Sequence, residues 1–170
     1  MISPVSGALR MTRIFYETMI KDAFPDLQWL RVCTTEAYTA TVYACDANLM
    51  LGELSRRKLL SFLQANGMVS CAYRVKHYFD MQKDSVFPAG ELPPAVRVIA
   101  QKGYVTAKGV KMGIELAFPN IDPNTIKVDK NAVLFTLKNG ASLPPGSSGH
   151  LELLLGEILP VGSVAKVMGA

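Results

Sequence analysis

The sequence predicts an α+β fold: an N-terminal helix-strand-strand-helix-strand layer followed by an all-β sandwich or small barrel. Three observations lead there. Apolar residues recur at three- and four-residue spacing early in the chain, and no stretch after Glu91 shows that period. Period-two alternation governs Val110 to Leu137, and seven of the ten prolines lie after Glu91 among short apolar runs.

Ser6 or Gly7 can open a first helix carrying Met11, Ile14, Phe15, Met19 and Ala23, which must end before Pro25. Leu27 to Cys33 and Tyr38 to Cys45 read as a hairpin; in its second strand Tyr38, Ala40, Val42 and Ala44 share one face and Thr39, Thr41 and Tyr43 the other. Asp46 or Asn48 caps a second helix from about Leu49 to Ala65, and Asn66-Gly67 supplies a left-handed end. Val69 to Phe79 alternates as a third strand, with both helices on one face of the sheet. Asp80 to Pro94 breaks every period, which divides the chain into a domain at 1–80, a connector at 81–94 and a β-sandwich-like domain at 95–170.

In the second half, Val110, Met112, Ile114, Leu116 and Phe118 alternate with Lys111, Gly113, Glu115 and Ala117 as on a half-buried strand. Val96 to Ala100, Tyr104 to Ala107, Thr125 to Val128, Val133 to Leu137, Leu151 to Leu155 and Val164 to Val167 complete about seven strands. Pro144 to Gly149 reads as a loop, and no internal repeat is visible.

Charged residues make up 19% of the chain against about 25% in ordinary soluble domains, while apolar types reach 49%. That shortage of charge predicts surface spent on other chains. The net charge of +4 is spread evenly between the halves, so no clustered nucleic-acid footprint stands out. No apolar run is long enough for a membrane span, and Arg10 and Arg13 occupy the place of a signal-peptide core, which predicts cytoplasmic synthesis.

The chemical inventory is sparse. Cys33, Cys45 and Cys71 match neither a disulfide framework nor a zinc spacing and read as buried free thiols. His77 shares an apolar strand face with Val75 and Phe79, and His150 follows Ser147-Ser148-Gly149 without the strand-turn-helix setting of a nucleophile elbow. Gly103, Gly109 and Gly113 precede no predicted helix and so cradle no phosphate. These readings predict no catalytic residue, no metal and no cofactor.

The element order over residues 12–79, with Arg56-Arg57-Lys58 on the second helix, resembles the BolA family of small α/β proteins with a KH-like topology. That family's Arg-His-Arg is replaced here by Arg56-Arg57-Lys58, without a histidine for an iron–sulfur ligand, so its function is not carried over. Ile114 to Val128, with Pro119 and Pro123 around the turn, similarly resembles the strand-turn-strand of small heat-shock proteins.

The function expected is a non-enzymatic structural or assembly subunit of a larger homo- or hetero-oligomeric complex, such as a viral or phage particle or tail. Its interface would be Leu151, Leu153, Leu155, Val164 and Val167 on two C-terminal strands, added to a neighbour's sheet edge. The alternative is a nucleic-acid-binding or regulatory module that uses the KH-like half, with Arg56, Arg57, Arg74 and Lys76 on phosphates.

Overall fold

A computed structural model describes residues 8–10, 12–86, 91–101, 104–129, 132–138 and 145–168. The fold is mixed α+β. A short strand, β1 (Ala8–Arg10), leads into α1 (Arg13–Ala23), β2 (Leu27–Glu36), β3 (Thr39–Asp46), α2 (Glu53–Asn66) and β4 (Ala72–His77). The sheet order is β2-β3-β4: β2 and β3 form an antiparallel hairpin, and α2 carries the chain back so that β4 lies parallel to β3. Ala40, Val42 and Ala44 share their face with Val32 and Val75, and on it α1 lays Tyr16 and Ile20 while α2 lays Leu59 and Leu63. All nine are buried, and they form the first core.

The helix ends differ in detail from the expectation. Described helix begins at Arg13 behind Thr12, and Ser6 and Gly7 lie outside the described residues. Gly52 caps α2, because the Asp46 carboxylate is turned instead to the Asn48 and Met50 N–H groups, each at 2.9 Å. Gly67 has φ −82° and is not left-handed. A Cβ there would lie 2.1 Å from Tyr73 Oη and 2.6 Å from Leu63 O, so the glycine is needed for space.

The second half is not all-β. After α3 (Asp80–Lys83), within the expected connector, come α4 (Pro94–Ala100), β5 (Tyr104–Thr106), α5 (Ala107–Ala117), β6 (Ile121–Asp129), β7 (Ala132–Leu137), α6 (Ser147–Ile158) and β8 (Val164–Val167). Three expected strands are therefore helices. Val96, Ile99 and Ala100 are buried at helical spacing in α4, which Pro94 opens. In α5, Ile114 and Phe118 are buried one turn apart, while Met112 and Leu116 are 51% and 75% exposed. The alternation from Val110 to Phe118 thus coincided with a helical stripe, and packing against α4, where Gly113 sits under Ile99, selected the helix. In α6, Leu151, Leu154, Leu155 and Ile158 meet the second core at helical spacing. Gly109 and Gly113 accordingly lie within a helix, and Ser147 to His150 form the first turn of another.

The second sheet has the order β6-β7-β8, antiparallel then parallel, and is open at both edges; no closed barrel is present among the described residues. Ile121, Val133 and Phe135 face its core, and the ladder breaks between Asp122 and Lys127, where Pro123 has no N–H to give. β1 and β5 pair antiparallel with each other.

The chain therefore carries one unit twice: strand, helix, hairpin, helix, parallel strand. α1 and α5 both have 11 residues, and each closes on the same signature, Ala23-Phe24-Pro25-Asp26-Leu27 and Ala117-Phe118-Pro119-Asn120-Ile121. The backbone bonds repeat as well. Phe24 N–H to Ile20 O and Phe118 N–H to Ile114 O are both 2.8 Å, and Leu27 N–H to Phe24 O at 3.1 Å matches Ile121 N–H to Phe118 O at 3.0 Å. After the second helix, Cys71 N–H to Met68 O at 3.1 Å matches Ser163 N–H to Pro160 O at 3.0 Å. This overturns the reading that no internal repeat exists; outside the Ala-Phe-Pro signature the two copies share element order, sheet order and turn hydrogen bonds rather than residue identity.

Candidate functional site

The two units meet through α1, the β2–β3 hairpin and the segment around α6 and β8. Arg13 Nε reaches Glu157 at 2.5 Å, Arg13 Nη1 reaches Glu17 at 2.8 Å, and Arg31 Nη2 reaches the other Glu157 oxygen at 3.3 Å. Burial acts to lower the Arg13 guanidinium, yet the Glu17 and Glu157 carboxylates outweigh it and hold Arg13 above the ordinary arginine value. Beside this cluster, Val161 is buried in the first unit's core, and Gly162 gives its N–H to Thr34 Oγ1 at 2.8 Å and takes the Tyr38 N–H at 2.9 Å.

Next to that junction lies a cleft of about 640 Å³. Its floor is the helix-free face of the first sheet, where cross-strand register makes two rows: Arg31, Tyr43 and Lys76, then Cys33, Thr41 and Arg74. Its other wall is α6 and β8, with Gly149, Glu152, Leu153 and Gly156. Burial, together with the neighbouring Asp84 carboxylate, pushes the Tyr43 hydroxyl far up; it donates to Asp84 at 2.8 Å. Lys76 at 2.7 Å and then Tyr43 hold Asp84 below its ordinary range. Burial raises the Cys33, Cys45 and Cys71 thiols, and all three are free.

Of the expected phosphate contacts, Arg74 and Lys76 line this cleft. Arg56 shares with Lys76 a smaller depression of about 400 Å³, and Arg57 lines neither. Each of the four is matched by a carboxylate of the chain itself: Arg56 and Arg57 by Glu53, Arg74 by Glu36, Lys76 by Asp84. They do not form one basic surface. The expected interface residues are divided as well. Leu155 is core, and Leu151 and Val167 pack against it; Leu153, 63% exposed, and Val164 line the cleft. Leu151, Leu153 and Leu155 are helical, so they cannot add to a sheet edge. On β8 the Val167 N–H is bound by Glu152 Oε1 at 3.1 Å, which occupies one of the donors that edge addition needs.

His77 is held by backbone. Its Nδ1 accepts the Phe79 N–H at 3.3 Å, so Nε2 carries the hydrogen and donates to Leu49 O at 2.9 Å. This bond anchors Leu49, whose φ of 59° is unusual for a non-glycine residue. His150 is exposed on α6. Among the described residues no three His, Cys, Asp or Glu side chains are placed to share a metal, and no helix is long and apolar enough to cross a membrane. Half-buried Tyr78 links the exposed Trp29, at 5.9 Å, to the exposed Phe79, at 6.1 Å.

Sequence reasoning missed Arg31, Glu152, Glu157 and Gly156. The period-two pattern had put Thr41 and Tyr43 on the face away from the helices, and the same rule applied to Arg31 and Cys33 would have completed the floor. Nothing local could have placed Glu157 beside Arg13. No family model, curated protein or solved structure matches the chain, so the likeness of residues 12–79 to the BolA family rests on element order alone.

Proposed function

We propose that the protein is a non-enzymatic assembly subunit that associates with further copies of itself. The observation that carries this reading is the unequal fate of one turn in the two units. After α6, Pro160-Val161-Gly162 docks on the β2–β3 hairpin, and Val161 is only 3% exposed. The equivalent turn after α2, Met68-Val69-Ser70, leaves Val69 fully exposed. A contact made once within the chain thus has a counterpart left open, and a second copy offers an antiparallel pair, β6–β7, for it to meet. Repeating it would be head-to-tail, the heterologous geometry that produces rings or filaments. The low charge content and the exposed Trp29 and Phe79, with the half-buried Tyr78 between them, support the same reading, because aromatic residues are enriched where protein surfaces meet. The viral or phage particle expected from the sequence is one such assembly.

Light scattering on the wild type, Val69→Asp and Phe79→Ser tests it. The expected result is a mass above the 18.5 kDa of one chain at micromolar concentration, returning to one chain in Val69→Asp. A wild type that stays at one chain throughout sinks the proposal. Dissociation by Phe79→Ser alone would move the contact from the turn to the aromatic surface.

A further inference from the structure

We infer that the cleft between the two units binds a small molecule bearing an oxyanion, phosphate or carboxylate. Its volume, about 640 Å³, falls in the range of small-ligand sites, and it lies where two units meet, a usual place for one. Hydrogen-bond accounting gives the ligand's chemistry. The three carboxylates on the walls are engaged by the chain's own donors: Glu157 by Arg13 and Arg31, Glu152 by the Val167 N–H, and Asp84 by Lys76 and Tyr43.

The cations are not used up in the same way. Arg74 commits Nη1 to Glu36 and Lys76 makes a single bond to Asp84, both as partly exposed pairs of the kind that contribute little and exchange readily. Arg31 Nε, buried beside the Cys33 thiol at the base of the floor, makes no hydrogen bond of normal geometry among the described residues. Guanidinium and ammonium groups have five and three N–H donors and no acceptor. The floor is therefore left with surplus donors, and what complements surplus donors is an anionic oxygen.

The opposite wall points the same way independently. Gly156 sits inside α6, where glycine is the least favourable residue after proline. Its backbone does not require it: φ is not positive, and a Cβ would meet nothing within 4 Å. Gly149, two turns earlier, is equally unobstructed, and both line the cleft. The helix is thinned where it faces the cationic floor, which leaves room for a ligand.

The arginine Nε–H signals of the full chain report binding during titration with inorganic phosphate and, separately, succinate, against a chloride control of equal ionic strength. The expected result is a saturable shift of the Arg74 signal with one of the two anions, and which anion does it identifies the headgroup. Arg57, outside the cleft, should stay still. Binding should weaken about tenfold or more in Arg74→Met and disappear in Gly156→Phe, whose ring would fill the space. A response that Arg57 shares equally, one that survives both substitutions, or none with either anion overturns the inference. The inference is independent of self-association, because Val69→Asp should leave the titration unchanged.

Discussion

Arg13 of α1 and Glu157 of α6 meet at 2.5 Å, joining the first helix of one unit to the second helix of the other. Glu157 is nearly buried and also accepts from Arg31, so one carboxylate balances two guanidinium groups at the junction. Removing one partner of a buried pair is far more costly than the pair's net contribution, since the other charge stays behind without water. Glu157→Ala should therefore lose about 3–5 kcal/mol of stability, read from urea unfolding. Glu53→Ala, which breaks two exposed, solvent-screened pairs on α2, should lose far less than Glu157→Ala does.

The helical assignment of α5 has its own test. A strand would bury every even position from Met112 to Phe118, whereas the helix buries Ile114 and Phe118 and exposes Leu116. Ile114→Ala should cost about 2–5 kcal/mol by leaving a core cavity, and Leu116→Lys should stay within about 0.5 kcal/mol of wild type. Equal losses at both positions would contradict the helix.

Asp84 predicts an acid-side dependence. Lys76 and Tyr43 hold its carboxyl below the ordinary 3.8, so its stabilising contribution is fully present above that value and is lost as pH falls through the lowered one. Wild type and Asp84→Asn should differ in thermal midpoint at neutral pH and converge in strong acid. A difference that grows with acidification would reverse the sign and refute the assignment.

Gly67 is required by a side chain packed against it. The Tyr73 hydroxyl, 2.7 Å from the Tyr16 hydroxyl and 2.7 Å from the Met68 N–H, occupies the space a Cβ would need. Gly67→Ala should cost about 1–3 kcal/mol, the usual range for overpacking. Gly52→Ala, where a Cβ meets nothing within 4 Å, should be close to neutral.

The first unit was legible because its signals agree. In α1 the helical period stops at Pro25, the strands around Val32 and Val42 alternate cleanly, and the α2 stripe of Leu59 and Leu63 fits no other period. The hairpin of β6 and β7 and the strand Val164–Val167 were readable on the same grounds. Val110 to Phe118 and Leu151 to Leu155 were not, because alternation and a helical stripe fit the first equally well and a continuous apolar run fits any element.

Local sequence determined where apolar residues gather, where prolines stop an element, and which polar residues oppose the core on β3. Tertiary structure decided which of two allowed periods Ile114 obeys, that Glu157 would answer Arg13, that the chain repeats one unit, and that a cleft would open over Arg31, Arg74 and Lys76. The physical reason is range. A period is a property of neighbours along the chain, whereas burial of a face, pairing of a charge and the width of a cleft depend on what the rest of the chain brings to it.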